Sequence, residues 1–256
     1  MVPKTGLQVY TLRALMNDDF VGTLQKVAEI GYEGVEFAGY GGLPAKELAN
    51  VVQSLGLIPV SSHVPLQQLE SNLDETLEYA VNLGLQHVVC PYLPEERRTA
   101  DDYRRLADLF DRVGQRCAQS GIRFAYHNHA FEFERLGEQY ALDCLYDWTD
   151  PQWVQAELDV YWVEFAGERA SDYVRKYAQR CQLLHIKDMT NDDERFYAEV
   201  GYGRLDIPGI VSAAVASDVD WFMVEQDVCR RPPLESVTMS FRYLTELART
   251  ESSNQN

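Results

Sequence analysis

Apolar residues recur along this chain in two alternating patterns. In stretches such as Leu106, Leu109, Val113 and Cys117 they are spaced three or four positions apart, as in an amphipathic helix. In four places such a stretch ends at a glycine and runs directly into an apolar, β-branched or aromatic segment. The four glycines are Gly31, Gly56, Gly84 and Gly121. Because glycine favours the left-handed residue that ends a helix, each repeat is predicted to be helix, turn and strand.

The apolar segments predict eight strands, with room for a crossover helix between successive ones. These strands are Leu7–Tyr10, Gly34–Phe37, Ile58–Ser61, His87–Cys90, Arg123–His127, Val154–Asp159, Leu183–Lys187 and Trp221–Glu225. Eight such units in about 250 residues favour a single (β/α)8 TIM barrel over a doubly wound open sheet. No linker divides the chain, so residues 1–248 are predicted to form one domain, followed by a polar tail over 249–256.

Composition limits the partners that this chain can have. A net charge of −17 over 256 residues argues against nucleic-acid phosphates and anionic membrane surfaces, which both attract clustered Lys and Arg. Five cysteines without a CxxC pair suit reduced thiols. The chain begins without the pattern of a signal peptide and contains no run of about 18 apolar residues. We therefore expect a cytoplasmic protein without a nucleic-acid or membrane partner, and leave open whether it forms a homo-oligomer.

Polar residues gather at the carboxyl ends of the predicted strands, where TIM barrels hold their active sites. They are Glu36, His63, His127, His129, Glu132, Glu157, Asp159, His185, Lys187, Glu225 and Asp227. Since successive residues of a strand face opposite ways, Glu157 and Asp159 are predicted to point into the barrel while Leu158 faces the helices. Two like charges about 4 Å apart cost about 4 kcal/mol at an effective dielectric of about 20. A cation is therefore expected among these carboxylates.

A divalent metal ion would supply the positive charge that these carboxylates require, with few assumptions. The predicted ligands are Glu132, Asp159, His185 and Glu225, each from a different strand end. Three carboxylates and one imidazole suit Mn²⁺, Mg²⁺ or Co²⁺ and do not exclude Zn²⁺. Glu134 is as good a candidate as Glu132 on spacing alone, and Asp159 has an alternative role as a helix cap.

Five motifs carry a resemblance to a known family. They are "YHNHAFEF", "ELDVYWV", "LLHIKDM", "EVGYGRLDIPGI" and "MVEQD", in this order. Together they resemble the sugar phosphate isomerase/epimerase family of xylose-isomerase-like TIM barrels. The stretches "GYEGVEFAGYGG" near the start and "SSHVPLQQLE" after the third strand are similar too, so the resemblance covers nearly the whole chain. The resemblance implies one divalent metal held by Glu, Asp, His and Glu, which fall by motif on the four ligands named above. In the ketose 3-epimerases of this superfamily the first of these glutamates stands roughly where His127 stands here.

The expected chemistry is proton transfer through a metal-stabilised enediolate. Glu132 and Glu225 are the candidate bases, and Lys187 or His129 could polarise or protonate a substrate oxygen. The predicted substrate contacts are His63, His129, Trp162 and Glu36.

Three classes of function follow from these residues. The first is a metal-dependent isomerase or epimerase of a small-molecule sugar. The second is a dehydratase or lyase acting on a keto-inositol or 3-keto-sugar at the same site, since the "YHNH" form also resembles barrels with such substrates. The third is a non-catalytic sugar-binding barrel or an endonuclease-IV-like DNA repair enzyme. Five histidines and a charge of −17 disfavour a multinuclear DNA repair site.

Overall fold

Eight parallel strands close into a barrel in the computed structural model, which describes residues 2–254. In chain order, β1 to β8 are Lys4–Gln8, Gly34–Phe37, Ile58–His63, His87–Cys90, Arg123–His127, Val154–Asp159, Cys181–Ile186 and Trp221–Val224. Each strand pairs with its two neighbours in the sequence, and β1 pairs with β8 to complete the ring. The predicted single TIM barrel is confirmed.

Helices surround the barrel and two short antiparallel hairpins extend its loops. In chain order, α1 to α11 are Arg13–Asp18, Phe20–Ile30, Ala45–Ser54, Leu66–Ser71, Leu73–Leu83, Ala100–Gln119, Ala141–Asp147, Val160–Phe165, Ala170–Lys176, Ile207–Ala216 and Pro233–Asn254. The hairpins pair Arg135–Leu136 with Gln139–Tyr140, and Asp188–Met189 with Tyr197–Ala198. The helix ends follow the sequence signals: Gly31 and Gly84 have φ of 114° and 84°, a conformation that side chains with a Cβ resist.

The first strand begins earlier than the sequence pattern predicts. We expected Leu7–Tyr10, but β1 ends at Gln8 and Val9–Leu12 form a 3₁₀ turn. The reason is local, because the side-chain oxygen of Gln8 accepts the backbone N–H of Tyr10 at 3.0 Å and caps the turn.

Two apolar clusters hold the barrel together. The larger lies between strands and helices and includes Leu158, whose outward direction the alternation predicted, together with Ile186 and Val224. The smaller one fills the inside of the barrel, and its members share the inward face with the polar residues further along each strand. These members are Val60, Val89, Ala125, Leu183, Trp221 and Met223. A Cβ at Gly6 would lie 2.7 Å from Met223 Cε, so the glycine makes room for this plug.

The carboxyl end of the chain continues as helix. α11 runs to Asn254, so residues 249–254 of the predicted polar tail extend it, and residues 255 and 256 lie outside the described part. None of the helices between residues 2 and 254 combines the length and the hydropathy needed to cross a bilayer. All five cysteines are free thiols, and four of them are buried.

The loop after β7 is fixed to the barrel by one buried carboxylate. Asp188 accepts the backbone N–H groups of Gly201, Gly203 and Leu205, each at 3.0 Å, and that of Met189 at 2.8 Å. Four backbone donors satisfy the two oxygens without any basic side chain. The loop therefore keeps a fixed path beside Lys187, the residue that precedes Asp188.

Candidate active site at the carboxyl ends of the strands

The strand registers bring the polar strand ends to one level of the barrel. His127 of β5 pairs with Glu157 of β6, and Asp159 of β6 pairs with His185 of β7. A cavity of ≈ 570 Å³ opens above them. The predicted site residues that line it are His63, His129, Lys187 and Glu225. The convergence expected from the sequence is thus present at the mouth of the barrel.

A buried lysine lies among the carboxylates at this mouth. Its Nζ is 3.0 Å from Asp159 Oδ2, 2.6 Å from Glu225 Oε2 and 2.8 Å from Asp227 Oδ2. Burial lowers the pKa of Lys187, but these carboxylates outweigh it and hold the pKa well above its ordinary value. Lys187 also helps to keep the pKa of Glu225 low, against the opposing effect of burial. The positive charge that the carboxylates require is therefore supplied in part by the chain itself.

Asp159 has the helix-cap role that its sequence position suggested, and its second oxygen points into the site. Its Oδ1 accepts the backbone N–H groups of Tyr161 and Trp162, at 2.9 and 3.2 Å, and caps α8. Its Oδ2 faces Lys187. One oxygen thus fixes the carboxylate while the other remains directed at the site.

Three ligand-type side chains form what we call the outer set: Asp159, His185 and Glu225. One oxygen or nitrogen of each lies within 4.8 Å of the others, and all three residues are buried. His185 Nδ1 is 3.0 Å from Glu225 Oε2. Two carboxylates and one imidazole match the donors that Mn²⁺, Mg²⁺, Co²⁺ and Zn²⁺ accept, and the adjacent ammonium shows that the place suits positive charge. The outer set fits a divalent ion.

A second group of ionisable side chains adjoins the outer set. Glu157 Oε2 is 2.9 Å from His63 Nε2 and 3.1 Å from His127 Nδ1. We call His63, His127 and Glu157 the inner set. Glu36 Oε1 borders it, 3.0 Å from His63 Nε2 and 2.6 Å from His185 Nε2. Burial lowers the pKa of His63, but Glu36 and Glu157 outweigh this and raise it to about 10.

Glu132, predicted as ligand and base, is not brought together with the outer set. Its carboxylate accepts the hydroxyl of Tyr126 and the backbone N–H of His129, the latter at 2.8 Å. Tyr126 lies in the outer apolar layer, on the opposite face of β5 from His127. The 3₁₀ turn Phe131–Phe133 carries Glu132 to that outer side. Glu134, the alternative on spacing, is exposed.

We expect Glu132→Gln to leave bound metal unchanged and to alter the pH dependence of stability. Burial raises the pKa of Glu132 from 4.5 to about 8, so between these values the folded protein holds a proton that the unfolded chain has released. The free energy of unfolding of the native protein therefore falls as pH rises through this window, and this fall should be absent from the variant. Urea unfolding across the window measures it.

Glu134→Gln, which changes an exposed side chain two residues on, is the matched control. A loss of metal in Glu132→Gln but not in Glu134→Gln would restore Glu132 as a ligand.

The four predicted substrate contacts occupy different places in the structure. His63 and His129 line the cavity. Glu36 is fully buried and already accepts hydrogen bonds from Gln8 at 2.6 Å and Ser61 at 2.5 Å, so it supports the site from below. The Trp162 ring packs against His129, with ring centroids 5.4 Å apart.

Sequence reasoning missed a set of aromatic residues on the wall. Tyr10, Tyr40 and Tyr92 line the cavity from the loops after β1, β2 and β4. Their position directly after strand ends was the available signal. Aromatic rings with a polar tip suit the alternating apolar and hydroxyl faces of a sugar or cyclitol.

Comparison with known proteins identifies related barrels. Residues 24–247 match the family model described as "Xylose isomerase-like TIM barrel". A solved sugar phosphate isomerase/epimerase from Parabacteroides distasonis ATCC 8503 superposes with a TM-score of 0.81 at 27% identity, covering 95% of this chain and 93% of that one. The IOLI protein, solved with a zinc atom, has a TM-score of 0.76 at 15% identity, with 95% and 97% covered, a likeness in fold.

Curated relatives are named as dehydratases. The inosose dehydratase of Geobacillus kaustophilus (strain HTA426) is 25% identical over an alignment of 283 positions including gaps, which covers 91% of this chain and 91% of that one. Seven further inosose dehydratases align over 54% to 56% of their own length.

Proposed function

This chain belongs to the family of xylose isomerase-like TIM barrels, and from that premise we propose that it is a divalent-metal-dependent dehydratase. Its substrate class is a keto-inositol or a 3-keto-sugar. Asp159, His185 and Glu225 of the outer set would hold the ion. The dehydratase names of the curated relatives support this assignment.

The observation that carries the proposal is the position of Glu132. An epimerase with two bases needs a carboxylate on each face of the sugar, and Glu132 is held by Tyr126 and His129 on the outer side of the barrel. Of the two candidate bases, Glu132 and Glu225, Glu225 is the one that lines the cavity. A dehydratase needs only one base, together with one acid for the departing hydroxyl group.

The two proton transfers of the elimination are assigned to different residues of the site. A bound divalent ion would polarise the ketone oxygen and acidify the neighbouring C–H. Glu225, whose pKa is held low by Lys187 and His185 against burial, is ionised at neutral pH and accepts that proton. The C–H electrons form the new C=C bond as the β-hydroxyl leaves, and the protonated Lys187 donates the proton that turns it into water.

The cavity favours an uncharged substrate. Among the residues that line it, Lys187 is the one Lys or Arg, and three carboxylates already contact its ammonium group. A phosphate group would find no guanidinium fork there. We therefore infer an unphosphorylated cyclitol or sugar.

An epimerase is the second candidate, favoured by the likeness to the sugar phosphate isomerase/epimerase from Parabacteroides distasonis. In that case Glu225 would have to remove and return the proton on one face, or a histidine of the cavity would serve the other face. The same enediolate chemistry would apply, without a departing hydroxyl group.

One screen separates the two candidates. The purified protein, supplied with Mn²⁺, Co²⁺ or Zn²⁺, is incubated in ²H₂O with keto-inositols, 3-keto-glycosides and free ketoses. We expect a product that has lost one water and absorbs as an enone from a keto-inositol or 3-keto-glycoside. Deuterium incorporation into a ketose without loss of water would contradict the dehydratase and support the epimerase.

A further inference from the structure

We propose that Arg98 is a positioning residue for the substrate, because from behind the cavity wall it fixes the rings of Tyr92 and His129. The inference rests on the proposed function only in taking an uncharged polyhydroxylated ring as the substrate. Tyr92 and His129 line the cavity, whereas Arg98 is not among the described residues that do. Arg98 therefore acts through these two rings and not by contact with the substrate.

Arg98 joins two loops at the mouth of the barrel. It lies between β4 and α6, and the ring beneath its guanidinium group is that of Phe131, in the turn after β5. Its Nε and Nη2 donate to the backbone oxygen of Leu93 at 3.0 and 2.8 Å, and Nη2 also donates to the Tyr92 hydroxyl at 2.7 Å. Its Cζ is 3.4 Å from the centroid of the Phe131 ring. One planar side chain thus holds one loop by hydrogen bonds and the other by stacking.

The imidazole of His129 depends on this stacking for its orientation. It lies nearly parallel to Phe131, with ring centroids 5.6 Å apart and planes at 10°, and its centroid is 5.4 Å from that of Trp162. Its Nδ1 is shielded from solvent and has no hydrogen-bond partner among the described residues. Because Arg98 covers Phe131, loss of the guanidinium group would free Phe131 and, with it, the imidazole.

Tyr92 is fixed by the same guanidinium group. Its side chain is 48% exposed, and its ring stands edge-on to His129 and to Phe131, with centroids 5.4 and 5.5 Å away. An exposed side chain normally loses rotamer freedom when a ligand binds against it, and this loss weakens binding. The hydrogen bond from Arg98 restricts Tyr92 before the substrate arrives. This wall of the cavity is therefore preorganised.

A preorganised wall should affect substrate binding more than the chemical step. Glu225 and Lys187 perform the proton transfers of the proposed elimination, and neither Tyr92 nor His129 is needed for them. The wall contributes about equally to the bound substrate and to the transition state. Disordering it should therefore raise KM and leave kcat nearly unchanged.

Kinetics on Arg98 variants test the proposal. The substrate is 2-keto-myo-inositol, or the ketose if the screen selects the epimerase. We expect Arg98→Met to raise KM about tenfold, the scale of ordering two side chains. Arg98→Lys should restore only part of this, because an ammonium keeps the charge but has no planar fork for Leu93 and Tyr92. Adding Tyr92→Phe to Arg98→Met should raise KM no further, since the hydroxyl acts through the guanidinium group.

Arg97→Met is the matched control. Arg97 is the preceding residue and pairs with Glu70 at 2.9 Å on the surface, so its loss should leave KM unchanged. An unchanged KM in Arg98→Met, or a fall in kcat as large as the rise in KM, would overturn the positioning role. Failure of the proposed function shows separately, as deuterium exchange without loss of water in the native protein.

Hydrogen exchange followed by mass spectrometry distinguishes positioning from a general loss of stability. In Arg98→Met, exchange should become faster in residues 91–99 and 128–134, the two loops that Arg98 joins, and should be unchanged in the barrel strands. Faster exchange throughout the barrel would mean that Arg98 only stabilises the fold. Unchanged exchange in both loops would equally contradict the proposal, whatever reaction the site performs.

Discussion

Replacing Glu225 by glutamine is expected to lower turnover by on the order of 10² to 10⁴, the usual contribution of a general base. The amide removes the proton acceptor, while its oxygen can still approach a metal ion and the side chain keeps nearly the same volume. KM should change little, because glutamine keeps the shape of this part of the cavity and Lys187 keeps its contacts with Asp159 and Asp227. The measurement is kcat and KM on the substrate found by the dehydratase screen, together with metal content.

Asp227→Asn is the matched control for this variant. Asp227 is two residues along the chain, also contacts Lys187 at 2.8 Å, and is more exposed than Glu225. Its loss should reduce turnover far less. Equal losses in both variants would mean that the carboxylates matter only through Lys187, and Glu225 would no longer be the base.

Lys187→Met is expected to destabilise the metal-free protein by about 3 to 5 kcal/mol, as when one partner of a buried ion pair is removed. The variant leaves Asp159, Glu225 and Asp227 without the ammonium that contacts all three. A divalent ion can replace that charge. Added Mn²⁺ should therefore raise the free energy of unfolding more in this variant than in the native protein. Urea unfolding with a chelator and with excess Mn²⁺ measures both effects.

Lys176→Met is the control for burial. Lys176 also forms an ion pair, with Asp143 at 2.7 Å, but its side chain is 47% exposed. Its loss should cost about 0 to 1 kcal/mol and should not respond to metal. A Lys187 variant that is equally mild, or that gains nothing from Mn²⁺, would show that the outer set does not need a cation.

The fold and three residues of the outer set follow from the sequence for a simple reason. Within a strand the direction of each side chain is fixed by alternation, and parallel strands in a barrel end at one level. Asp159 and His185 lie on or next to strand ends and are adjacent in register, and Glu225 directly follows β8. To predict that these three side chains meet, it was therefore enough to locate the ends of the strands correctly.

Side chains alternate in direction only within a strand, so the direction of a side chain beyond a strand end could not be predicted from the sequence. Glu132 lies five residues beyond β5, and the turn that directs it towards Tyr126 has no period that fixes side-chain direction. The inner set shows a second limit. His63 and Glu157 are 94 positions apart, so alternation gives their common face but not the partner that each one contacts.

The apolar plug inside the barrel has a consequence for how such a protein can change over generations. Six apolar side chains fill the inside of the barrel. The ionisable residues of the site lie nearer the carboxyl ends of the strands. Substitutions of cavity-wall residues such as Tyr10 or Tyr92 can change what the cavity accepts without removing these apolar contacts. New substrate preferences can therefore arise in the loops after single strands while the apolar interior of the barrel is kept.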